Sequence, residues 1–193
     1  MQDDTTLREW LAKGSRSLFL DRDGVINHRL IDDYVKRVDE FKFLPGVLSA
    51  MTHFTRIFEH TFIVTNQQGI AKGLMSEEDL GTIHQHMLEA FKKVSVEIDG
   101  VYYCPDFAHQ NSLSRKPAGG MGYQAQRDFP ELNFSNCLMV GDSASDMGFA
   151  HNLGMRSALI LGKSGAEQKC EEQNWPIDFR FNSLKELSDA ILS

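Results

Sequence analysis

Asp21-Arg22-Asp23-Gly24 follows directly on the apolar run Leu18-Phe19-Leu20. If that run is a strand, two carboxylates two residues apart leave its end on one side and face one small volume. At an effective dielectric near 20, two such charges about 4 Å apart repel by roughly 4 kcal/mol. Such a cluster calls for a cation, and Gly24 allows the backbone to turn sharply and approach a ligand closely. The plainer use of an Asp pair after a strand is a turn or a helix cap. Against that use stand three later segments: Thr65-Asn66-Gln67-Gln68-Gly69, Ser114-Arg115-Lys116-Pro117 and Gly141-Asp142-Ser143. Together they predict a metal-assisted carboxylate site.

The elements that must position these residues can be read from the pattern. Short apolar runs alternate with longer amphipathic stretches, as in a parallel sheet covered by helices. Strands are predicted at 16–20, 61–65, 101–103, 137–140, 157–161 and 177–181. Helices are predicted at 5–13 (with Leu7, Trp10 and Leu11 on one face), from Pro45 to Glu59, from the Ser76 cap to Val94, at 121–129 and 145–152, and after the Ser183 cap. Residues 24–44 read as irregular. Parallel strands bring their C-terminal ends to one edge, and ligands bind outside them. The candidate residues obey that rule. Asp21 and Asp23 follow the first strand, Thr65 and Asn66 end the second, Arg115 and Lys116 follow the third, and Asp142 follows the fourth.

In this order LFLDRDGVIN, IVTNQQGIAKG, SRKP and MVGDSASD resemble the four motifs of the haloacid dehalogenase-like superfamily of phosphotransferases, over residues 16–160. DRDGVIN, TNQQGIAKG and YYCP with RKP downstream resemble, more narrowly, its heptose 1,7-bisphosphate phosphatase and histidinol-phosphatase group. The resemblance implies an α/β fold, a Rossmann-like three-layer sandwich with a mostly parallel sheet; the length fits one domain over residues 1–193, and the 24–44 segment and the stretch before Lys116 are too short for the cap that superfamily members often insert, so a capless core is expected. The resemblance also implies Asp21 as the nucleophile, because a covalent aspartyl-phosphate splits a slow hydrolysis into two easier steps. Asp23 would protonate the leaving oxygen and then take a proton from water. Asp142 would complete a magnesium site with the Asp21 carboxylate and the Asp23 backbone carbonyl, a set of hard oxygen donors. Thr65, Asn66 and Gln67 would reach the phosphoryl group or substrate. Lys116 would supply charge to the transition state, and Arg115 a planar fork for phosphate. Asp146 could hold Lys116 or a metal-bound water, or serve as a first-turn helix acid.

The chain departs from the narrower pattern at three places. The heptose-bisphosphate phosphatases carry a zinc loop, Cys-x-His then Cys-x-Cys, before Arg-Lys-Pro. Here Cys104 stands, but Asp106, Ser112 and Ser114 occupy the other positions. Serine is a poor zinc ligand, so a loop held by hydrogen bonds is expected in place of structural zinc. Gly141-Asp142-Ser143 replaces the family's Gly-Asp-Lys, removing one basic contact, and the 27–34 stretch is slightly longer. All three changes touch substrate recognition more than phosphoryl transfer.

The remaining features bound the answer. With 193 residues and a net charge of −7 without a basic run, an electrostatic nucleic-acid footprint is not expected. That weighs against end processing by a polynucleotide 3′-phosphatase. A scaffold module would tolerate loss of Asp21 or Asp23, and both are retained. No apolar stretch is long enough for a membrane span, the polar N-terminal residues do not resemble a secretory signal, and the three cysteines form no CxxC pair. The expectation is a cytoplasmic magnesium phosphatase of a small phosphate ester. A heptose bisphosphate or related sugar phosphate comes first and histidinol phosphate second.

Overall fold

The computed structural model describes residues 2–14, 16–31 and 33–193. Among these, six strands form one sheet: β1 (Ser17–Leu20), β2 (His60–Asn66), β3 (Gly100–Cys104), β4 (Cys137–Gly141), β5 (Arg156–Ile160) and β6 (Phe179–Phe181). The strand order is β3-β2-β1-β4-β5-β6 and every pairing is parallel, where a mostly parallel sheet was expected. β1 is buried on both faces, which explains its uninterrupted apolar sequence. Its side chains alternate between two cores: Leu18 and Leu20 on one side, Phe19 on the other.

Among the described residues, seven α-helices cover the sheet. α1 (Gln2–Leu11), α2 (Val47–Phe54), α3 (Glu77–Lys93) and α7 (Leu184–Leu192) pack on the Leu18 side through Leu7, Met51, Phe54, Ile83, Met87 and Leu187. α4 (Gly120–Asp128) and α5 (Ala144–Leu153) pack on the Phe19 side through Met121, Ala125, Phe149 and Leu153. α3 starts at a full capping box between Ser76 and Asp79, and the Ser183 hydroxyl caps α7.

α1 and β6 shift by two or three residues from the expected 5–13 and 177–181, and two elements differ more. α2 is shorter than Pro45–Glu59. Gly46 sits before it at φ +78°, and beyond Phe54 the bonds from Arg56 to His53 and from Ile57 to Phe54 tighten the chain into a turn. α6 (Ala166–Gln173) was not foreseen. Only Ala166 and Cys170 of it are buried, so no apolar period marks it. The two connections that lead to the site, 21–46 and 105–119, each carry one short 3-10 turn, Val38–Glu40 and Ala108–Gln110, in line with a capless core. Among the described residues, no helix is long and apolar enough to cross a membrane.

Candidate active site

β1 and β4 are neighbours, with Leu20 beside Val140, and the strand order reverses between them. A crevice at such a switch point is where an open α/β sheet binds ligands. Asp21 extends β1, its N–H donating to the Val140 carbonyl at 2.9 Å, and Asp142 leaves β4 just past Gly141. Gly24 has φ +97°, and a Cβ there would lie 2.2 Å from Asp142 Oδ2. Only glycine allows this carboxylate so close to the first loop. One carboxylate oxygen each from Asp21, Asp142 and Asp146 falls within 4.8 Å of the others.

Lys116 is the cation among them. It is 3% exposed. Its Nζ donates to Asp21 Oδ1 at 2.8 Å and to the Val64 carbonyl at 2.7 Å, and lies 2.6 Å from Asp146 Oδ1. Asp146 also closes the capping box of α5, its Oδ2 accepting from the Ser143 N–H and hydroxyl. It therefore fills both roles that sequence left open, helix acid and lysine anchor. Asn66 turns its amide to the Lys116 backbone, accepting at 3.0 Å and donating at 3.1 Å, so it fixes the lysine's loop even as it lines the cleft.

The electrostatics follow from burial. Desolvation pushes the Asp21 carboxyl up to about 7; Lys116 opposes the shift, while Asp146 and Asp142 add to it. Asp142 is likewise raised by burial and by Asp146, against Lys163 and Arg29. Burial disfavours the Lys116 ammonium, but Asp146 and Asp21 outweigh it and raise its pKa. Burial acts on Asp23 too, yet Arg22, Asn27 and Gln67 hold that carboxyl below its ordinary range.

Asp23 faces the same cleft. Its Oδ2 accepts from Gln67 Nε2 at 2.7 Å and Arg22 Nη2 at 2.8 Å, and its Oδ1 from Asn27 Nδ2 at 2.8 Å. Gln67, expected to reach substrate, is fully buried and spends its amide donors on Asp23 and Thr65. Thr65 lines the cleft, and because its hydroxyl oxygen accepts from Gln67 its own proton is free to be donated there. Arg115 reaches the cleft edge while Nη1 donates to the Asp106 carbonyl. In the 104–114 loop, Cys104 Sγ lies 3.6 Å from Asp106 Oδ2 and 3.9 Å from Ser112 Oγ.

Sequence reasoning missed four residues. Arg29 and Lys163 line the cleft and approach Asp142 at 3.3 and 3.7 Å. Arg22 and His84 lie buried behind Asp23. The exposure of the first pair and the sequence separation of the second leave no local pattern to read. His86, by contrast, is exposed on another face of α3 than His84, as the spacing predicts.

The donor set fits a divalent cation. Three carboxylates lie together, two of them paired with Lys116, and Asp21 and Asp142 are pushed toward protonation by burial and by neighbouring carboxylates. A hard cation beside Asp21 and Asp142, with oxygen ligands only, would hold both ionised.

Comparisons with known proteins agree with this geometry. An HAD-hydrolase-like family model matches residues 113–187. The D-glycero-alpha-D-manno-heptose-1,7-bisphosphate 7-phosphatase of Mycobacterium bovis is 40% identical over 175 residues, 90% of each chain. The corresponding beta-anomer 7-phosphatase of Salmonella typhi is 36% identical over 191 residues, covering 94% of this chain and 97% of its own. Among solved structures, the D,D-heptose 1,7-bisphosphate phosphatase of B. bronchiseptica, crystallised with magnesium and phosphate, superposes with a TM-score of 0.81 at 28% identity. It covers 92% of this chain and 98% of its own.

Proposed function

Because the chain belongs to the heptose-bisphosphate phosphatase family of HAD-like hydrolases, which are phosphoric monoester hydrolases, we propose that it removes the 7-phosphate of a D-glycero-D-manno-heptose 1,7-bisphosphate, with magnesium as cofactor and Asp21 as nucleophile. The observation that carries this reading is the convergence of Asp21 and Asp142, which follow the adjacent parallel strands β1 and β4, with Lys116 from the connection after β3. We read residues 1–193 as one catalytic domain acting on a small phosphate ester, with no nucleic acid involved.

Asp21 and Asp142, with the Asp23 carbonyl, would hold the magnesium, which when bound neutralises the carboxylates and draws charge from the phosphoryl oxygens. The ionised Asp21 carboxylate attacks phosphorus, and the bond from phosphorus to the sugar oxygen breaks. Asp23 gives that oxygen its proton. The incoming phosphate dianion favours the protonated form of Asp23 by like-charge repulsion. Lys116 and the Thr65 hydroxyl offset charge on the transferring group. Asp23, now a base, removes a proton from water as the water attacks phosphorus, and phosphate leaves Asp21 free. Arg29, Arg115 and Lys163 ring the cleft with cations. That charge suits the second phosphate of a bisphosphate, and Lys163 offers a base where the family's lysine after Asp142 is Ser143.

The test is a panel ranked by kcat/KM: both heptose bisphosphate anomers, a heptose monophosphate, histidinol phosphate and an oligonucleotide 3′-phosphate. The bisphosphates should lead the others by at least about tenfold, as a doubly charge-matched ligand should. A lead by histidinol phosphate or the oligonucleotide would overturn the substrate.

A further inference from the structure

Arg22 is the largest fully buried side chain among the described residues, and none of the steps above uses it. A buried guanidinium is costly unless its donors are matched. Here two directions are matched. Nη2 donates to both oxygens of Asp23, at 2.8 and 3.0 Å. Nη1 lies 3.1 Å from His84 Nε2 on α3. A guanidinium only donates, so His84 Nε2 must accept, and the ring is the neutral Nδ1–H tautomer. A covalent and hydrogen-bonded line thus runs from α3 through His84 and Arg22 to the Asp23 carboxylate. Asn27 and Gln67 grip the same carboxylate, yet the side chain remains 24% exposed toward the cleft. Each Asp23 oxygen accepts two hydrogen bonds, which together hold the carboxylate in one orientation at the cleft.

We propose that Arg22 is a positioning residue: anchored to α3 by His84, it sets the orientation in which Asp23 meets the leaving oxygen. The inference rests on the reading of Asp23 as general acid. It differs from a merely structural role in one respect. Loss of orientation harms only substrates whose leaving group needs a proton, whereas a damaged fold harms all of them.

The experiment measures kcat/KM for the sugar phosphate and for dinitrophenyl phosphate, whose leaving group departs without a proton. This parameter covers steps through formation of the aspartyl-phosphate and omits the later hydrolysis, in which Asp23 works again. Asp23→Asn serves as the reference and should lose at least about 10²-fold on the sugar phosphate and far less on the aryl ester. Arg22→Lys keeps the charge but cannot span both partners. It should lose roughly 10²-fold on the sugar phosphate and under about threefold on the aryl ester. His84→Leu, which removes the acceptor, should show the same selective loss in smaller measure, about tenfold. His84→Gln, whose amide oxygen can accept from Arg22, should recover most of it. The His84 pair carries the test if Arg22→Lys melts early. Equal losses on both esters, or none, in the Arg22 and His84 variants while Asp23→Asn stays selective would overturn the positioning role alone. Equal losses in Asp23→Asn would overturn the general-acid reading first, and this one with it.

Discussion

Asp21 is pulled in two directions. As the proposed nucleophile it must be ionised, yet burial beside Asp146 and Asp142 pushes its carboxyl up to about 7, with Lys116 as the opposing charge. In the metal-free protein, folded Asp21 therefore holds a proton between an ordinary 3.8 and about 7 that the unfolded chain has released. Stability contributed by this group falls as pH rises through that window. Asp21→Asn removes the slope. In chelator, the melting temperature of the variant relative to the parent should rise between about pH 4 and about pH 7; a flat difference would refute the burial argument. The same variant should lose at least about 10³-fold in kcat while its circular dichroism stays unchanged. Gly24 makes a second residue-scale prediction. A methyl there would meet Asp142 Oδ2 at 2.2 Å on a backbone with φ +97°. Gly24→Ala should weaken magnesium binding by about tenfold or more, read by titration calorimetry.

At the scale of elements, α3 does more than cover the sheet. It carries His84, which burial, aided by Arg22, lowers to about 3 against Asp23. Between 3 and 6.5 the unfolded chain binds a proton at this position and the native one does not. Stability is thus lost as pH falls from about 6.5, and His84→Gln should flatten that loss in denaturant titrations at constant metal. The capping box of α3 and the apolar runs of the strands were legible because each is a local signal, whereas the pairing of β1 with β4 joins segments far apart in the chain. Asp21, Thr65, Lys116 and Asp142 were legible as residues that follow strands. Other features had no such signal. α6 shows the core only Ala166 and Cys170, so its charged sequence reads as loop. Gln67 looked like a neighbour of Asn66 in function, but two residues beyond Thr65 it shares that residue's side and folds under the cleft. The Arg22–His84 contact joins residues 62 positions apart, and no spacing rule links a loop arginine to a mid-helix histidine.

For the whole molecule, metal and fold are linked. A cation held by carboxylates of β1 and β4 binds the native state alone, so magnesium should raise the melting temperature in proportion to the logarithm of its concentration. Chelator should reverse the rise and stop hydrolysis together; hydrolysis that persists in chelator would refute the magnesium role. Elemental analysis of the purified protein should find no stoichiometric zinc, since the 104–114 loop offers Cys104 with Asp106 and serines rather than four good ligands. The reversal of strand order between β1 and β4 has a further outcome. The chain lays down one half of the sheet outward from β1 before it returns to build the other, and each half carries only one of the two strands that lead to the proposed metal ligands Asp21 and Asp142. A nascent polypeptide cannot become an enzyme until β4 is synthesised and docks beside β1. Two fragments severed in the connection after β3 should each be inert, and mixing them should restore turnover at a rate set by their encounter.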